Sequence, residues 1–168
     1  VEPGVVDARR CLAWLVQAPG SIPREFRAVL GGRLYGCDDC QEVCPVGRSD
    51  RVADGTDDPA ADVEAAWVLQ ANNDELMDRF GRWYIADRDP TYLRRNALVA
   101  LGNTAAGDDP AVAGLLEVYL ASDDSILRSH AVWAADRLGR PDLLDGLDAG
   151  GDLLVAEELA AVRDRVGA

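Results

Sequence analysis

Four cysteines constrain this chain more than any other feature. They stand at Cys11, Cys37, Cys40 and Cys44, and residues 45–168 contain none. A disulfide scaffold spreads its bridges through a small secreted chain, and this distribution does not. No basic segment leads into an apolar stretch, so no signal peptide is read. No apolar run approaches the roughly 20 residues of a membrane span. The sequence therefore reads as cytoplasmic, a setting where clustered thiols point to metal. The chain starts at Val1 and its only methionine is Met77, which reads as a truncated product or an excised piece. Its 168 residues, 48% apolar, fit one ordinary domain or two small ones with a real core.

The central motif is Gly36-Cys37-Asp38-Asp39-Cys40-Gln41-Glu42-Val43-Cys44-Pro45, with spacing C-x2-C-x3-C-P. Bacterial ferredoxins carry C-x2-C-x2-C-x3-C-P, whose final cysteine in two-cluster proteins ligates the other cluster. Here Tyr35 and Gly36 lie where that run would place its first thiol. The remaining candidate is Cys11, 26 residues before Cys37 and expected on a helix. Thiolates are soft donors suited to iron–sulfur clusters. The short x2 spacing wraps backbone round a cluster corner, and a proline after the last cysteine turns the chain away. Two other readings stay open. Four thiols could hold one structural zinc, although zinc sites usually pair two C-x2-C knuckles, or the thiols could be unligated.

The rest of the chain reads as helical. Val5, Ala8, Cys11, Leu12, Leu15 and Val16 have helical spacing, stopped by Pro19-Gly20. Ser21 is expected to cap a short helix ended by Gly31-Gly32. The stretch around residues 49–58, rich in Gly, Asp, Arg and Ser, reads as a linker between segments 1–48 and 59–168. Beyond it, Asp89-Pro90 and Asp109-Pro110 are helix starts, Gly102 and Gly139 are stops, and 152–166 forms a last helix. The sequence from Asp89 resembles that from Asp123. The offset of 34 aligns Leu93 with Leu127, Arg94 with Arg128, Ala97 with Ala131 and Ala100 with Ala134. Small residues at that spacing let helices approach closely, as in a HEAT-like array of stacked helix pairs. An ordinary helical bundle is the alternative. Trp14, Trp67, Trp83 and Trp133 fall on helical patterns and are expected in the core, and His130 is expected to be packed or at the surface.

Several stretches together resemble the epoxyqueuosine reductase family. They are Asp7-Ala8-Arg9-Arg10-Cys11, Gly20-Ser21-Ile22-Pro23-Arg24-Glu25, Gly32 through Pro45, and Arg94-Arg95-Asn96-Ala97-Leu98-Val99-Ala100-Leu101-Gly102-Asn103. The resemblance implies a mainly α fold, with a ferredoxin-like iron–sulfur segment followed by a short HEAT-like repeat array. It implies a cobalamin-dependent oxidoreductase that removes the epoxide oxygen of epoxyqueuosine in tRNA, with two [4Fe-4S] clusters feeding electrons to the cobalamin. By the family pattern, Cys11, Cys37 and Cys40 are ligands of one cluster and Cys44 serves the other. The fourth ligand of the first comes from an upstream cysteine run that these 168 residues do not contain. The cobalamin domain is expected outside them too, so this chain alone should lack reductase activity and should partner the remainder of its parent chain. Val46-Gly47 stands where the family usually has Trp-Asn.

The formal net charge of −13 repels a polyanion at long range, and all 17 basic residues are arginine. Local arginines can still act at short range. Arg94, Arg95 and Arg128 are the candidates for tRNA phosphates on one face of the array, the alternative being solvated arginines paired with nearby aspartates. Arg9 and Arg10 flank Cys11, either offsetting cluster charge or simply exposed. No general acid or base can be nominated. The rivals to the reductase reading are a zinc- or thiol-stabilised scaffold for another protein and a free-standing small electron carrier.

Overall fold

The computed structural model describes residues 7–44 and 63–166; the expected linker and Pro45, Val46 and Gly47 lie outside the described residues. The described elements are helical, with no strand among them. A 3-10 turn at Ala8–Arg10 leads into α1 (Leu12–Gln17), followed by α2 (Arg24–Leu30) and α3 (Asp39–Glu42). The tail holds α4 (Ala65–Gln70), α5 (Asn73–Phe80), α6 (Thr91–Thr104), α7 (Pro110–Leu120), α8 (Ser125–Arg137) and α9 (Leu153–Val166). No described helix is long and apolar enough to cross a membrane.

Caps set most of these boundaries. Asp109 accepts from the Ala111 amide with Pro110 at the first helical position, and Asp124 accepts from Ile126 and Leu127. Asn72 and Glu75 form a reciprocal capping box on α5. Gly139, at φ +70°, follows α8, as the sequence indicates. Helices α6, α8 and α9 form one layer, with α4 packed on α6 and α7 on α8. The two helices related by the offset of 34 are α6 and α8, and they are the most extensively packed pair. Ala97, Ala100, Ala131 and Ala134 are all buried.

Gly102 does not stop α6; the helix runs on to Thr104. A Cβ at Gly102 would lie 2.8 Å from the Trp133 ring and 3.0 Å from the Ala134 Cα. The glycine is an approach point for α8 rather than a terminator. Trp133 is buried at this contact, whereas Trp14, expected in the core, is 50% exposed. Helix α1 buries Leu15 and Val16, and a helix this short turns Trp14 to the other side.

The N-terminal segment shares its core with the tail. Val16, Ile22 and Leu30 pack in one cluster with Leu98, Leu101, Val132 and Val155. Polar contacts reinforce the junction. Helix α1 has only six residues, so its last carbonyls need partners from elsewhere. Arg95, on α6 and only 1% exposed, donates to the carbonyls of Leu15, Val16, Ala18 and Gly20. Asn96 donates from Nδ2 to Val16 O at 2.8 Å and Leu34 O at 2.9 Å. Two helical turns on, Asn103 donates to Arg27 O and Gly31 O at the end of α2. Burial pulls the pKa of the Arg95 guanidinium down to about 10, still charged at neutral pH, and its Cζ lies 5.1 Å from the Tyr92 ring centroid.

His130 closes the same junction. Its Nε2 accepts the Ile22 amide at 3.3 Å, and its Nδ1 faces Ile126 O at 2.7 Å. An acceptor at Nε2 and a carbonyl at Nδ1 require the neutral Nδ1–H tautomer. Complete burial, with Arg27 close by, holds its pKa well below 6.5. On the far side, Arg27 pairs with Glu158 at 2.7 Å, Arg24 bonds Glu158 and Asp136, and Arg165 reaches Asp136. Ser21 is not the cap of α2: Pro23 occupies that position, and the Ser21 hydroxyl accepts from Arg27.

Two outcomes follow from this packing. Gly102→Ala should destabilise by about 1–3 kcal/mol, since helix propensity cannot offset contact with backbone and a packed indole. Gly114→Ala, at a position in α7 where a Cβ meets nothing within 4 Å, should stabilise by about 0.4–1 kcal/mol. Urea midpoints distinguish the two, and stabilisation by both substitutions would refute the close approach. The second outcome concerns pH. Because the folded state disfavours protonated His130, the unfolded chain binds the extra proton, and stability should fall as pH drops below 6.5. This one group should contribute a slope of about 1.4 kcal/mol per pH unit between about pH 6 and 5. His130→Gln should flatten that part of the profile; an unchanged slope in the variant would assign it to other groups.

Candidate metal centre

Cys11 is placed by a break rather than by a helix. The expected helix through Val16 is interrupted there: Asp7 caps the 3-10 turn by accepting the Arg9 amide at 3.1 Å, and Cys11 takes extended angles, φ −75° and ψ 121°. It occupies the N-cap position of α1 without a side-chain capping bond, which leaves its thiol uncommitted. Its carbonyl accepts from Leu15, so the residue stays tied to the first turn of α1.

Cys37 and Cys40 come from a tight knuckle. Gly36, at φ +76°, turns the chain just before Cys37, a conformation that favours glycine. Asp38 then starts α3, on which Cys40 lies. Arg33 ties this knuckle to α2, donating to Leu30 O at 3.2 Å and to Asp39 at 2.5 Å. Tyr35 stacks on Trp83 with centroids 4.4 Å apart, Trp83 stacks on Phe80, and the Tyr35 hydroxyl accepts the Tyr84 amide. The approach to Cys37 is thus braced by aromatic rings from the tail.

The three thiols line one cavity. Cys11, Cys37 and Cys40 surround a volume of about 370 Å³ together with Asp7, Arg10, Leu12 and Asp39. Cys44, half-buried just past α3, does not line it. None of the four is in a disulfide, and Cys40 is exposed. Among the described residues, no three His, Cys, Asp or Glu side chains converge as a single ion would require. Arg10 supplies positive charge at the wall, while the Arg9 guanidinium turns back onto Asp7 at 2.9 Å. That bond is the main reason the Asp7 carboxyl lies below its usual range. Soft thiols round an open volume, with a cation beside them, fit a thiolate-bound cluster carrying negative charge.

The three arginines expected to face tRNA are placed differently. Arg95 is buried and gives its donors to carbonyls and Asn96, so it is not a phosphate contact. Arg94 donates to Ala71 O at the end of α4 and to Asn73 Oδ1 at the start of α5. Arg128, at the equivalent repeat position, donates to Leu120 O at the end of α7 and to Asp148 O. The repeated arginine closes the preceding helix of each pair. Asn96, Asn103 and His130 escaped the sequence reading as site-shaping residues. The usable signal was an asparagine inside a helix, where its side chain competes with the backbone unless it has a partner elsewhere.

Comparison with known proteins agrees with this geometry. The family described as a 4Fe-4S double cluster binding domain matches residues 1–47. The chain is 32% identical over 152 residues to the epoxyqueuosine reductase of Bacillus subtilis, covering 88% of this chain and 39% of that protein. It is also 32% identical over 152 residues to an uncharacterized protein of Geobacillus stearothermophilus, covering 88% of this chain and 69% of that one. A crystal structure of epoxyqueuosine reductase with a tRNA-Tyr epoxyqueuosine-modified stem loop superposes with a TM-score of 0.75 at 29% identity, covering 96% of this chain and 46% of that chain. The chain thus spans about two fifths of the length of the curated reductase it matches, and over that span it is homologous to epoxyqueuosine reductases.

Proposed function

We propose that these 168 residues are the electron-relay and tRNA-docking part of a cobalamin-dependent epoxyqueuosine reductase, an oxidoreductase of tRNA queuosine biosynthesis acting in the cytoplasm. The observation that carries the reading is that Cys11, Cys37 and Cys40, from two separate stretches of chain, line one cavity. These three residues would hold a [4Fe-4S] cluster there, and Cys44, which does not line that cavity, would serve a second one. When bound, such a cluster supplies one-electron transfer. The chain's own residues hold its ligands apart through the Arg33–Asp39 pair and the Tyr35–Trp83 stack, and Arg10 offsets negative charge at the wall. No described residue is assigned to cobalamin, and no step is derived through it. On this reading segment 1–48 is the cluster-bearing part, 49–58 the linker and 59–168 the HEAT-like docking array. The tRNA role rests on the relative solved with a modified tRNA stem loop.

Anaerobic loading with iron and sulfide tests the cluster. The chain should load poorly alone and well when an upstream C-x2-C-x2-C-x3-C-P segment is supplied. Cys37→Ala should then abolish the cluster at this cavity, whereas Cys44→Ala should spare it. A colourless protein holding zinc would support the scaffold reading instead. Loss of a complete cluster on Cys44→Ala, in the chain without the added segment, would support a free-standing carrier.

Binding of a tRNA stem loop tests the tail. Arg128→Gln should lower the melting temperature yet leave the slope of log K against log salt unchanged, because its donors are spent on carbonyls. A slope reduced by about one would return Arg128 to a phosphate.

A further inference from the structure

We propose that Asn96 is a positioning residue for the cysteine cavity, acting where two arms of chain meet and each arm ends at a cavity thiol. The first arm runs from Val16 back through α1 to Cys11. The second runs from Leu34 through the left-handed turn at Gly36 to Cys37. Both hydrogens of one amide nitrogen are spent on these arms, at 2.8 Å to Val16 O and 2.9 Å to Leu34 O. The orientation of that amide is fixed from behind, since Asn96 Oδ1 accepts from Arg95 Nε at 3.1 Å and Nη2 at 2.9 Å. A guanidinium has no acceptor, so it holds the oxygen and leaves the nitrogen facing the carbonyls. Among the described residues, no other side-chain donor bonds both arms.

Both arms are short and stiff. Four residues of 3.6-per-turn helix separate Val16 from Cys11, and two residues, one of them the turn glycine Gly36, separate Leu34 from Cys37. A shift at either carbonyl is therefore carried to a thiol. Asn103 provides the natural comparison. It is also on α6 and also donates to two carbonyls, but both, Arg27 and Gly31, lie at the end of α2. It joins α2 to the tail without tying α2 to α1. A merely structural role predicts that the two asparagines behave alike; a positioning role predicts that Asn96 alone sets the spacing of Cys11 and Cys37. The consequence for a cluster rests on the function proposed above, but the spacing of the thiols can be read without iron.

The experiment uses the full chain with Cys40→Ser and Cys44→Ser, which leaves Cys11 and Cys37 as its only thiols. A short bifunctional thiol reagent is added without oxygen, and the rate of bridging between the two is measured by peptide mapping. Asn96→Asp keeps the volume and the Arg95 contact and replaces the two donors by a carboxylate oxygen facing the same two carbonyls. It should slow bridging about tenfold, while single-site alkylation of each thiol is unchanged and Asn103→Ala stays within about twofold of the parent. Equal rates in Asn96→Asp and the parent would overturn the proposal. So would equal slowing in both asparagine variants, or failure of Asn96→Asp to fold, either of which would make the residue a general stability determinant. Iron and sulfide loading of the four-cysteine chain, with the upstream segment supplied, separates the two ideas. A chain that bridges as expected but holds no iron keeps the positioning role and loses the cluster.

Discussion

Buried donors on α6 that complete the open carbonyl ends of α1 and α2 are what the rest of this structure depends on. Neither short helix approaches the roughly 12–15 residues at which an isolated helix becomes marginally stable. Their unpaired carbonyls would be costly inside a core. Arg95, Asn96 and Asn103 supply partners for both helix ends from one tail helix. The dependence is mutual, because a buried guanidinium is tolerated only when its donors are satisfied. The carbonyl ends of α1 provide that, and their partial negative charge suits a cation. The cluster segment and the tail are therefore two lengths of sequence around one core.

Much of the fold was legible because its signals are local. Asp109-Pro110, Gly139 and the run from Asp152 are caps and stops whose physics lies within a few residues. The alignment of α6 with α8 was legible because close approach demands small residues wherever it occurs. What failed was any reading that needed a second helix to interpret the first. Gly102 has the composition of a terminator, and only the position of Trp133 and Ala134 shows why the chain needs no Cβ there. Trp14 has helical spacing but sits on a helix too short to bury two faces.

The site was legible in its donors and illegible in its supports. Spacing alone singled out Cys37, Cys40 and Cys44, and the structure adds Cys11 to the cavity of the first two while leaving Cys44 outside it. The Arg-Arg-Asn run at 94–96 was harder. Arginines on a tail beside an expected nucleic acid suggest phosphate contacts, yet sequence cannot say whether a guanidinium points out or in. Side chains adjacent in a helix point about 100° apart. Arg94 therefore reaches the end of α4, while Arg95 turns into the junction with α1. The asparagine beside them was the better indicator, since an amide inside a helix has little reason to be there without a partner across a contact.

Shared support also couples the two lengths of sequence energetically. Thiols that are spaced only when α1 and the Gly36 turn are both docked on α6 exist as a site only in the folded core. A group that binds those thiols and not the unfolded chain adds its binding free energy to the stability of the whole, tail included. The α6–α8 contact at Gly102 and the Asn96 bonds to both cavity arms lie on the same helix. Reciprocity follows from linkage rather than from distance: the free energy by which an occupied cavity stabilises the folded tail equals that by which the folded tail strengthens binding at the cavity.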